Sequence, residues 1–110
     1  MIKYKRIYEC NDNIYKILID RMWPRGIKKD KIDMWLKDIA PSKGIITKYH
    51  KDNNYEEFKE EYFKELDNKK DKLEEIINLS KEKDIVLVYS SKREKNNMTA
   101  LKEYIEKDMI

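Results

Sequence analysis

The chain has 110 residues, which is the size of one domain and too short for two hydrophobic cores. Hydrophobic residues make up 40% of the chain at regular spacings, which argues against a disordered protein even though 43% of the residues are charged. The 25 basic residues are interleaved with 22 acidic ones, and the net charge is only +3. This charge pattern does not favour binding to a nucleic-acid backbone.

The cysteine content and the hydropathy limit the remaining classes of protein. Cys10 is the only cysteine, so the sequence excludes an internal disulfide and a cysteine-based zinc site. No apolar run approaches the ~20 residues that cross a bilayer, and the N-terminus lacks the apolar core of a signal peptide. We therefore expect a cytoplasmic protein with no membrane partner, no cofactor and no metal. A homodimer is left open.

Two strands are predicted first. Residues 2–8 alternate between two faces, a period that is typical of a strand. Residues 15–22 hold Ile17, Leu18 and Ile19 in succession, which predicts a strand that is buried on both faces. Pro24 must end this strand because proline has no N–H for the ladder.

Helices are predicted for most of the middle of the chain. Asp30 can cap a short turn, and Ser42 is predicted to cap a helix that runs through Tyr49. From Asn54 onward, apolar residues recur at helical spacing with charged residues on the opposite face. A further helix is predicted at about residues 70–81.

The last strand and the last helix complete the predicted fold. Residues 85–89 are an unbroken apolar run of the kind found at the centre of a parallel sheet. Residues 90–96 are predicted to form a polar loop, and either Asn96 or Asn97 caps the final helix. The sequence therefore predicts an α/β fold with a small, mainly parallel central sheet of about three or four strands. Helices flank this sheet, and a helical insertion separates the second and last strands.

Residue types that are rare in this chain are concentrated in one segment. The chain has 21 lysines but only 4 arginines, and Arg21 and Arg25 lie close together. Both tryptophans, both prolines, both glycines and the only histidine also fall between residues 21 and 50. We interpret this concentration as a sign of specific requirements in that stretch.

The segment around these two arginines suits an anionic ligand. Arg21 lies near the end of a buried strand and Arg25 just past it, where ligands of α/β sheets bind, and guanidinium groups match carboxylate or phosphate oxygens. Trp23 could stack on a ring of the ligand, and Gly26 lets the backbone turn closely against it. The alternative is that Arg21 forms a buried ion pair with Asp20 and that Trp23 is a core residue.

A second polar segment follows the last predicted strand. Its loop precedes a helix N-terminus, where free N–H groups attract anions, and Ser90 and Lys92 are predicted to supply side-chain donors. His50 is a candidate acid–base group because histidine side chains titrate near neutrality, and Ser90 is a second-choice nucleophile. A triad of Ser90, His50 and Asp20 can be drawn, but their spacing gives it no support. The predicted ligand-binding residues are Arg21, Trp23, Arg25, Gly26, Tyr89, Lys92 and Asn96, and the predicted catalytic residues are His50 and Ser90.

Four motifs in the right order resemble one known family. Residues 17–26, I-L-I-D-R-M-W-P-R-G, resemble the opening motif of the YeaO-like branch of the domain of unknown function 488 (DUF488) family. Residues 35–42 are similar to its W-x-K-x-x-A-P-S segment. Residues 48–66 resemble its histidine and F-x-x-x-Y-x-x-E-L helix, and residues 87–96 its closing L-x-Y-S-A-K…N signature. The resemblance implies a single DUF488-like α/β domain over residues 1–110.

The resemblance implies no established activity. The chain has Asn97 where the family often has a histidine, and the loop before Asn96 is one residue shorter. A sister branch carries a cysteine at the position of Ser90, so sulfur transfer or thiol phosphatase chemistry by that route is not expected. We therefore predict a binding site for an anionic small molecule, a nucleotide or a phosphorylated metabolite, and leave open whether the protein is an enzyme. The alternative is a non-catalytic regulatory or nucleic-acid-binding module.

Overall fold

Four parallel strands form the central sheet in a computed structural model that describes residues 1–109. The strands are β1 (Ile2–Arg6), β2 (Tyr15–Leu18), β3 (Met34–Trp35) and β4 (Ile85–Tyr89). They lie in the order β1-β4-β2-β3, and every neighbouring pair is parallel. The predicted α/β fold with a mainly parallel sheet is therefore confirmed.

Four α-helices pack against this sheet. They are α1 (Lys43–Asp52), α2 (Tyr55–Asp67), α3 (Lys70–Glu82) and α4 (Asn97–Tyr104). Short 3-10 turns span Ile7–Glu9, Lys29–Lys31 and Lys37–Ile39, and a π-helical turn at Ile105–Met109 follows α4. The predicted helical insertion is present as α1 to α3, and it also contains the short strand β3. None of the helices between residues 1 and 109 combines the length and the apolar composition of a membrane-spanning helix.

The alternation of side chains along the strands divides the core in two. Ile17 and Leu87 face the four helices, where they are fully buried beside Tyr62. Leu18 and Val88 face the opposite side, which is covered by loops and 3-10 turns and by no α-helix among the described residues. Residues Ile85 to Val88 of β4 are all buried, so both faces of that strand are covered, and this explains its unbroken apolar run. In β2 only Ile17 and Leu18 are buried.

The observed elements differ from the prediction mainly at their ends. β1 ends at Arg6 and β2 at Leu18, whereas the sequence pattern predicted ends at residues 8 and 22. Beyond Arg6 the chain tightens into a 3-10 turn, because the alternating pattern does not itself mark where the partner strand stops. The two-residue strand β3 is too short to produce a recognisable period.

Of the residues predicted as caps, only Asn96 caps its helix with its side chain. Asp30 lies inside the 3-10 turn Lys29–Lys31, which has no side-chain cap. The Asn54 side chain accepts a hydrogen bond from Glu57 N at 3.2 Å and caps α2. Ser42 directly precedes α1, as predicted, but its side chain makes no capping hydrogen bond. Its backbone N–H instead donates to Glu65 Oε1 at 3.0 Å, so α1 is tied to α2 at this point. Asn96, and not Asn97, caps α4.

Candidate functional site

A cleft lies at the edge of the sheet where β1, β4 and β2 end. The three strands are adjacent and parallel, so their carboxyl ends meet at this edge, which is where α/β sheets bind ligands. The cleft has a volume of about 980 Å³ and is open to solvent. Its lining residues are Arg6, Tyr8, Asp20, Arg21, Met22, Trp23, Pro24, Arg25, Ile46, Tyr49, His50, Phe58, Ser90, Ser91, Lys92, Arg93, Asn96 and Asn97.

The cleft brings together most of the residues that the sequence predicted. The segment around Arg21 and Arg25 and the polar loop after β4 both contribute to it, because β2 and β4 are parallel neighbours. The predicted residues in the lining are Arg21, Trp23, Arg25, His50, Ser90, Lys92 and Asn96. Gly26 and Tyr89, which were also predicted to bind the ligand, lie outside the lining.

Gly26 and Tyr89 are explained by local geometry. Gly26 has a φ of +75°, in the left-handed region that favours glycine, and lies in the turn in which Ile27 N donates to Pro24 O at 3.4 Å. Tyr89 lies on the same strand face as Leu87, so its side chain packs against the core under the helices. Gly26 shapes the chain beside the cleft, whereas Tyr89 belongs to the core.

All four arginines of the chain line the cleft. They are Arg6, Arg21, Arg25 and Arg93. Within residues 1–109, only Arg6 has a carboxylate at ion-pair distance, with 3.9 Å between its guanidinium and Glu9 Oε1. Lys92 adds a further positive charge, and Asp20 is the only acidic residue in the lining. The cleft is therefore strongly electropositive.

Two of these arginines are fixed by backbone carbonyl oxygens. Arg6 Nε donates to Ser90 O at 3.0 Å, and Arg21 Nε donates to Pro41 O at 3.1 Å. A guanidinium carries five N–H donors, so both side chains are held in place while most of their donors remain available. Both side chains are only partly exposed, which limits the freedom that they would lose on binding a ligand.

The other two arginines lie at the mouth of the cleft. Arg93 donates from a terminal guanidinium nitrogen to Asn53 Oδ1 at 3.2 Å, and its Cζ lies 5.2 Å from the centre of the Tyr49 ring. Arg25 is exposed, and its backbone carbonyl accepts a hydrogen bond from Tyr8 Oη at 2.7 Å. The Arg25 side chain forms no hydrogen bond or ion pair within the described chain.

A buried carboxylate at the base of the cleft joins the two predicted segments. Asp20 Oδ2 accepts from Ser90 N at 2.9 Å and from Ser90 Oγ at 2.7 Å, and Asp20 Oδ1 accepts from Asn97 Nδ2 at 3.1 Å. Its backbone carbonyl accepts from Trp35 Nε1 at 2.6 Å. Asp20 is 9% exposed and forms no ion pair with Arg21, contrary to the alternative considered from the sequence.

The Asn96 side chain makes three hydrogen bonds at the start of α4. Its Oδ1 accepts from Met98 N at 2.8 Å and Thr99 N at 3.2 Å, and its Nδ2 donates to Arg93 O at 2.8 Å. Thr99 Oγ1 accepts from Asn96 N at 3.1 Å, which completes a capping box. Asn96 therefore reaches the cleft wall with its side-chain oxygen and one of its two amide N–H groups already used within the protein.

Trp23 combines a place in the lining with a place in the core. Its Nε1 donates to Ile27 O at 2.7 Å, and its ring makes an edge-to-face contact with Trp35 at a centroid distance of 5.4 Å. It packs against the core cluster on the side of the sheet away from the helices. The ring is consequently held in one orientation on the cleft wall.

His50 lies on α1 at the rim of the cleft and is exposed. Among the hydrogen bonds of residues 1–109, none joins His50 to Ser90 or to Asp20, so the structure does not assemble the triad drawn from the sequence. Cys10 does not line the cleft. In the part of the chain that the structure describes, no three His, Cys, Asp or Glu side chains are grouped closely enough to share a metal ion.

Four of the polar residues that line the cleft are absent from the ligand-binding and catalytic residues predicted from the sequence. Arg6 and Arg93 carry the same signal that drew attention to Arg21 and Arg25, since arginine is rare throughout this chain. The positions of Asp20 and Asn97 could not be found in this way, because their contact joins residues 77 positions apart. The four missed residues are Arg6, Asp20, Arg93 and Asn97.

Comparison with known proteins identifies the family. The profile of the family described as "Inactive DUF488-N3 subclade" matches residues 1–110. The chain belongs to the DUF488 family. This result confirms the family that the four sequence motifs indicated. Asp20 and Ser90, which are hydrogen-bonded, lie in the first and last of those motifs.

The DUF488 relatives of the chain include proteins from three bacteria. It is 35% identical to the uncharacterized protein YeaO of Escherichia coli K12 over 101 residues, which cover 87% of this chain and 88% of YeaO. It is 39% identical over 70 residues to the uncharacterized proteins Rv3073c of Mycobacterium tuberculosis and Mb3100c of Mycobacterium bovis, with 59% of each chain covered. No solved structure matches the chain significantly.

Proposed function

We propose that the cleft binds a small anionic molecule of the nucleotide or phosphorylated-metabolite class. One observation carries this proposal. A chain with 21 lysines and 4 arginines places every arginine around the same cleft. Arginine differs from lysine in its planar set of donors, which match two oxygens of a phosphate or carboxylate at once. Positive charge for solubility alone could be supplied by lysine or arginine at any surface position, so it does not explain why every arginine lies at the cleft.

The charge balance of the cleft supports the same proposal. Arg21, Arg25 and Arg93 have no carboxylate partner within residues 1–109, although the chain contains 22 acidic residues. Asp20 is present, but each of its carboxylate oxygens already accepts a hydrogen bond from the protein. An anion that enters the cleft would therefore meet several free cationic donors and one carboxylate that is largely satisfied.

The size and the walls of the cleft favour a ligand with a nonpolar portion. Pockets for small molecules typically enclose about 300–1,000 Å³, and this cleft lies at the upper end of that range at about 980 Å³. Ile46, Tyr49 and Phe58 form an apolar wall on the side of α1 and α2. A nucleotide or another phosphate ester offers both an anionic group for the arginines and a less polar body for this wall.

Binding without catalysis is the form of the proposal that the geometry favours. The Ser90 hydroxyl donates to Asp20, and His50 contacts neither of them among the hydrogen bonds of the described residues. The family that the chain belongs to is described as an inactive subclade, which supports the same reading. His50 and Ser90 are then parts of the wall of a binding site.

Calorimetric titration with anionic metabolites tests the proposal. We expect nucleoside monophosphates or sugar phosphates to bind the wild-type chain and to bind Arg25→Ala about tenfold more weakly, because one charge-assisted hydrogen bond is lost. Arg25 is suited to this test because its side chain makes no contact that holds the fold, and its carbonyl contact with Tyr8 remains. Affinity should fall as the ionic strength rises.

A lysine at the other end of the sheet provides the matched control. Lys81 is exposed on α3, next to Ser80, whose carbonyl accepts a hydrogen bond from the N-terminal amine at 3.1 Å. Lys81→Ala removes the same charge far from the cleft and should bind like the wild type. Equal binding by the wild type and Arg25→Ala would remove Arg25 from the site. Failure of every small anion to bind, with tight and steeply salt-dependent binding of an oligonucleotide, would favour the nucleic-acid alternative.

A further inference from the structure

The Ser90 hydroxyl presents an acceptor to a cleft that otherwise presents donors. A serine hydroxyl has one hydrogen to donate and two lone pairs that accept. Ser90 Oγ lies 2.7 Å from Asp20 Oδ2, and an ionised carboxylate can only accept, so the hydrogen of Ser90 is committed to Asp20. Ser90 also lines the cleft, and its remaining lone pairs are available there. This arrangement reverses the donor role that the sequence analysis gave to Ser90.

The contacts of Asp20 hold Ser90 in this role. Asp20 Oδ2 accepts a hydrogen bond from the Ser90 backbone N–H at 2.9 Å in addition to the one from the hydroxyl, so the carboxylate binds Ser90 through two hydrogen bonds. The amide of Asn97 donates to the other carboxylate oxygen at 3.1 Å and fixes the carboxylate plane. Asp20 is 9% exposed, so water has little room to take over any of these contacts.

We propose that the cleft selects oxyanions that carry a hydrogen-bond donor of their own. The inference rests on the proposed function and deepens it by naming the chemical class of the ligand. The arginines hold the charged oxygens, and Ser90 Oγ accepts a hydrogen from a hydroxyl on the same ligand. An oxyanion without such a hydrogen places an oxygen against the lone pairs of Ser90 and against the charge of Asp20. That contact is repulsive, and it leaves a partly buried acceptor without a partner.

Phosphate and sulfate are the matched probes for this selection. Both are tetrahedral oxyanions of similar size, but phosphate keeps at least one proton near neutral pH and sulfate keeps none. Sulfate carries the larger negative charge under these conditions, so a site that responded only to charge would bind sulfate at least as tightly. A preference for phosphate therefore has to come from the proton and its acceptor.

Isothermal titration of the full chain with inorganic phosphate and with sulfate, at equal pH and ionic strength, tests the inference. We expect phosphate to bind the wild type about tenfold more tightly than sulfate, which corresponds to one unmatched hydrogen bond at a partly buried site. In Ser90→Ala the acceptor itself is removed, while the backbone N–H of residue 90 and the Asn97 amide can still donate to Asp20. The preference should then fall to about twofold or less, because neither anion meets the hydroxyl oxygen.

Controls separate this inference from the proposed function. Ser80→Ala removes a serine hydroxyl from α3, where it donates to Ile77 O at 2.6 Å, and should keep the wild-type preference. Equal binding of phosphate and sulfate, or tighter binding of sulfate, would overturn the inference and leave the proposed anion site in place. An unchanged preference in Ser90→Ala would overturn it as well. If phosphate does not bind at all, the inference fails, and the metabolite titration decides the proposed function separately.

A second pair of probes needs no variant, in case Ser90→Ala does not fold. Glycolate differs from acetate by one hydroxyl group next to the carboxylate. We expect the wild type to bind glycolate more tightly than acetate, for the same reason that it prefers phosphate to sulfate. Equal binding of the two carboxylates would contradict the role of Ser90 as an acceptor.

Discussion

Replacement of Asn96 by alanine separates a structural role from a ligand-binding role. The sequence analysis placed Asn96 in the ligand site, whereas the structure shows that its side chain makes three hydrogen bonds within the protein. The substitution leaves the N–H groups of Met98 and Thr99 without their acceptor and the carbonyl of Arg93 without its donor. Asn96 is only 6% exposed, so water cannot readily replace these contacts.

The expected loss follows from these three contacts. Removal of an N-cap side chain costs about 1 kcal/mol, and loss of the hydrogen bond to Arg93 O costs about another 1 kcal/mol. The free energy of unfolding should therefore fall by about 2 kcal/mol, which for a domain of this size lowers the melting temperature by roughly 8 °C. Asn96→Ser keeps a capping oxygen but not the donor, so it should lose about half as much.

Urea denaturation followed by circular dichroism measures these differences. The midpoint should shift while the slope of the free energy against urea stays constant, because the surface exposed on unfolding is unchanged. Asn78→Ala is the matched control, since Asn78 is exposed in the middle of α3 and alanine favours a helix. If Asn96→Ala keeps the wild-type midpoint but no longer binds phosphate, the structural role is refuted and the ligand role that the sequence suggested is restored.

Two further predictions follow from backbone geometry and from buried phenols. Gly26→Ala should lower the free energy of unfolding by about 1 kcal/mol, because φ is +75° while an added Cβ meets no atom within 4 Å; an unchanged urea midpoint would contradict this. Burial raises the pKa of Tyr4 to about 12 and that of Tyr55 to about 12, above the ordinary value of 10.0. The folded state therefore holds these protons more tightly than the unfolded state, so stability present below pH 10 should be lost as the pH rises towards about 12. An alkaline titration that records tyrosinate absorbance together with circular dichroism would reveal the loss, and ionisation of all tyrosines at the ordinary pKa in the folded protein would contradict it.

The elements that local pattern determines were predictable from the sequence. The helices show an apolar stripe, and β4 shows an unbroken apolar run, because each buries a face whose period is set by its own backbone. The proximity of the two polar segments was also predictable, since parallel neighbouring strands end at the same edge. The length of β1 was not predictable from the sequence, because a strand ends where its hydrogen-bonded partner ends, and the partner of β1 is β4.

The composition of the site was predictable only in part, for a related reason. Arg25 and Lys92 could be placed because each lies in the polar segment that comes after a buried strand. Arg6 reaches the cleft only because β1 pairs with β4 in a register that sets Arg6 opposite Tyr89. The alternation along β4, however, was available from the sequence. It places Tyr89 on the same face as Leu87, which could have removed Tyr89 from the predicted site.

The cleft also links ligand binding to the stability of the fold. Among residues 1–109, four arginines and Lys92 lie around one concavity whose lining contains a single carboxylate, so their mutual repulsion raises the free energy of the folded state relative to the unfolded chain. An anion that binds there would remove this repulsion, which is part of its binding free energy, and would stabilise the fold by mass action because it binds only the folded state. Asp20 then has two roles. Its charge offsets part of the repulsion when no ligand is present, and its hydrogen bonds to Ser90 hold an acceptor toward the space that the ligand enters. The arginines would thus supply the affinity of the cleft for anions, and Asp20, through Ser90, its discrimination among them.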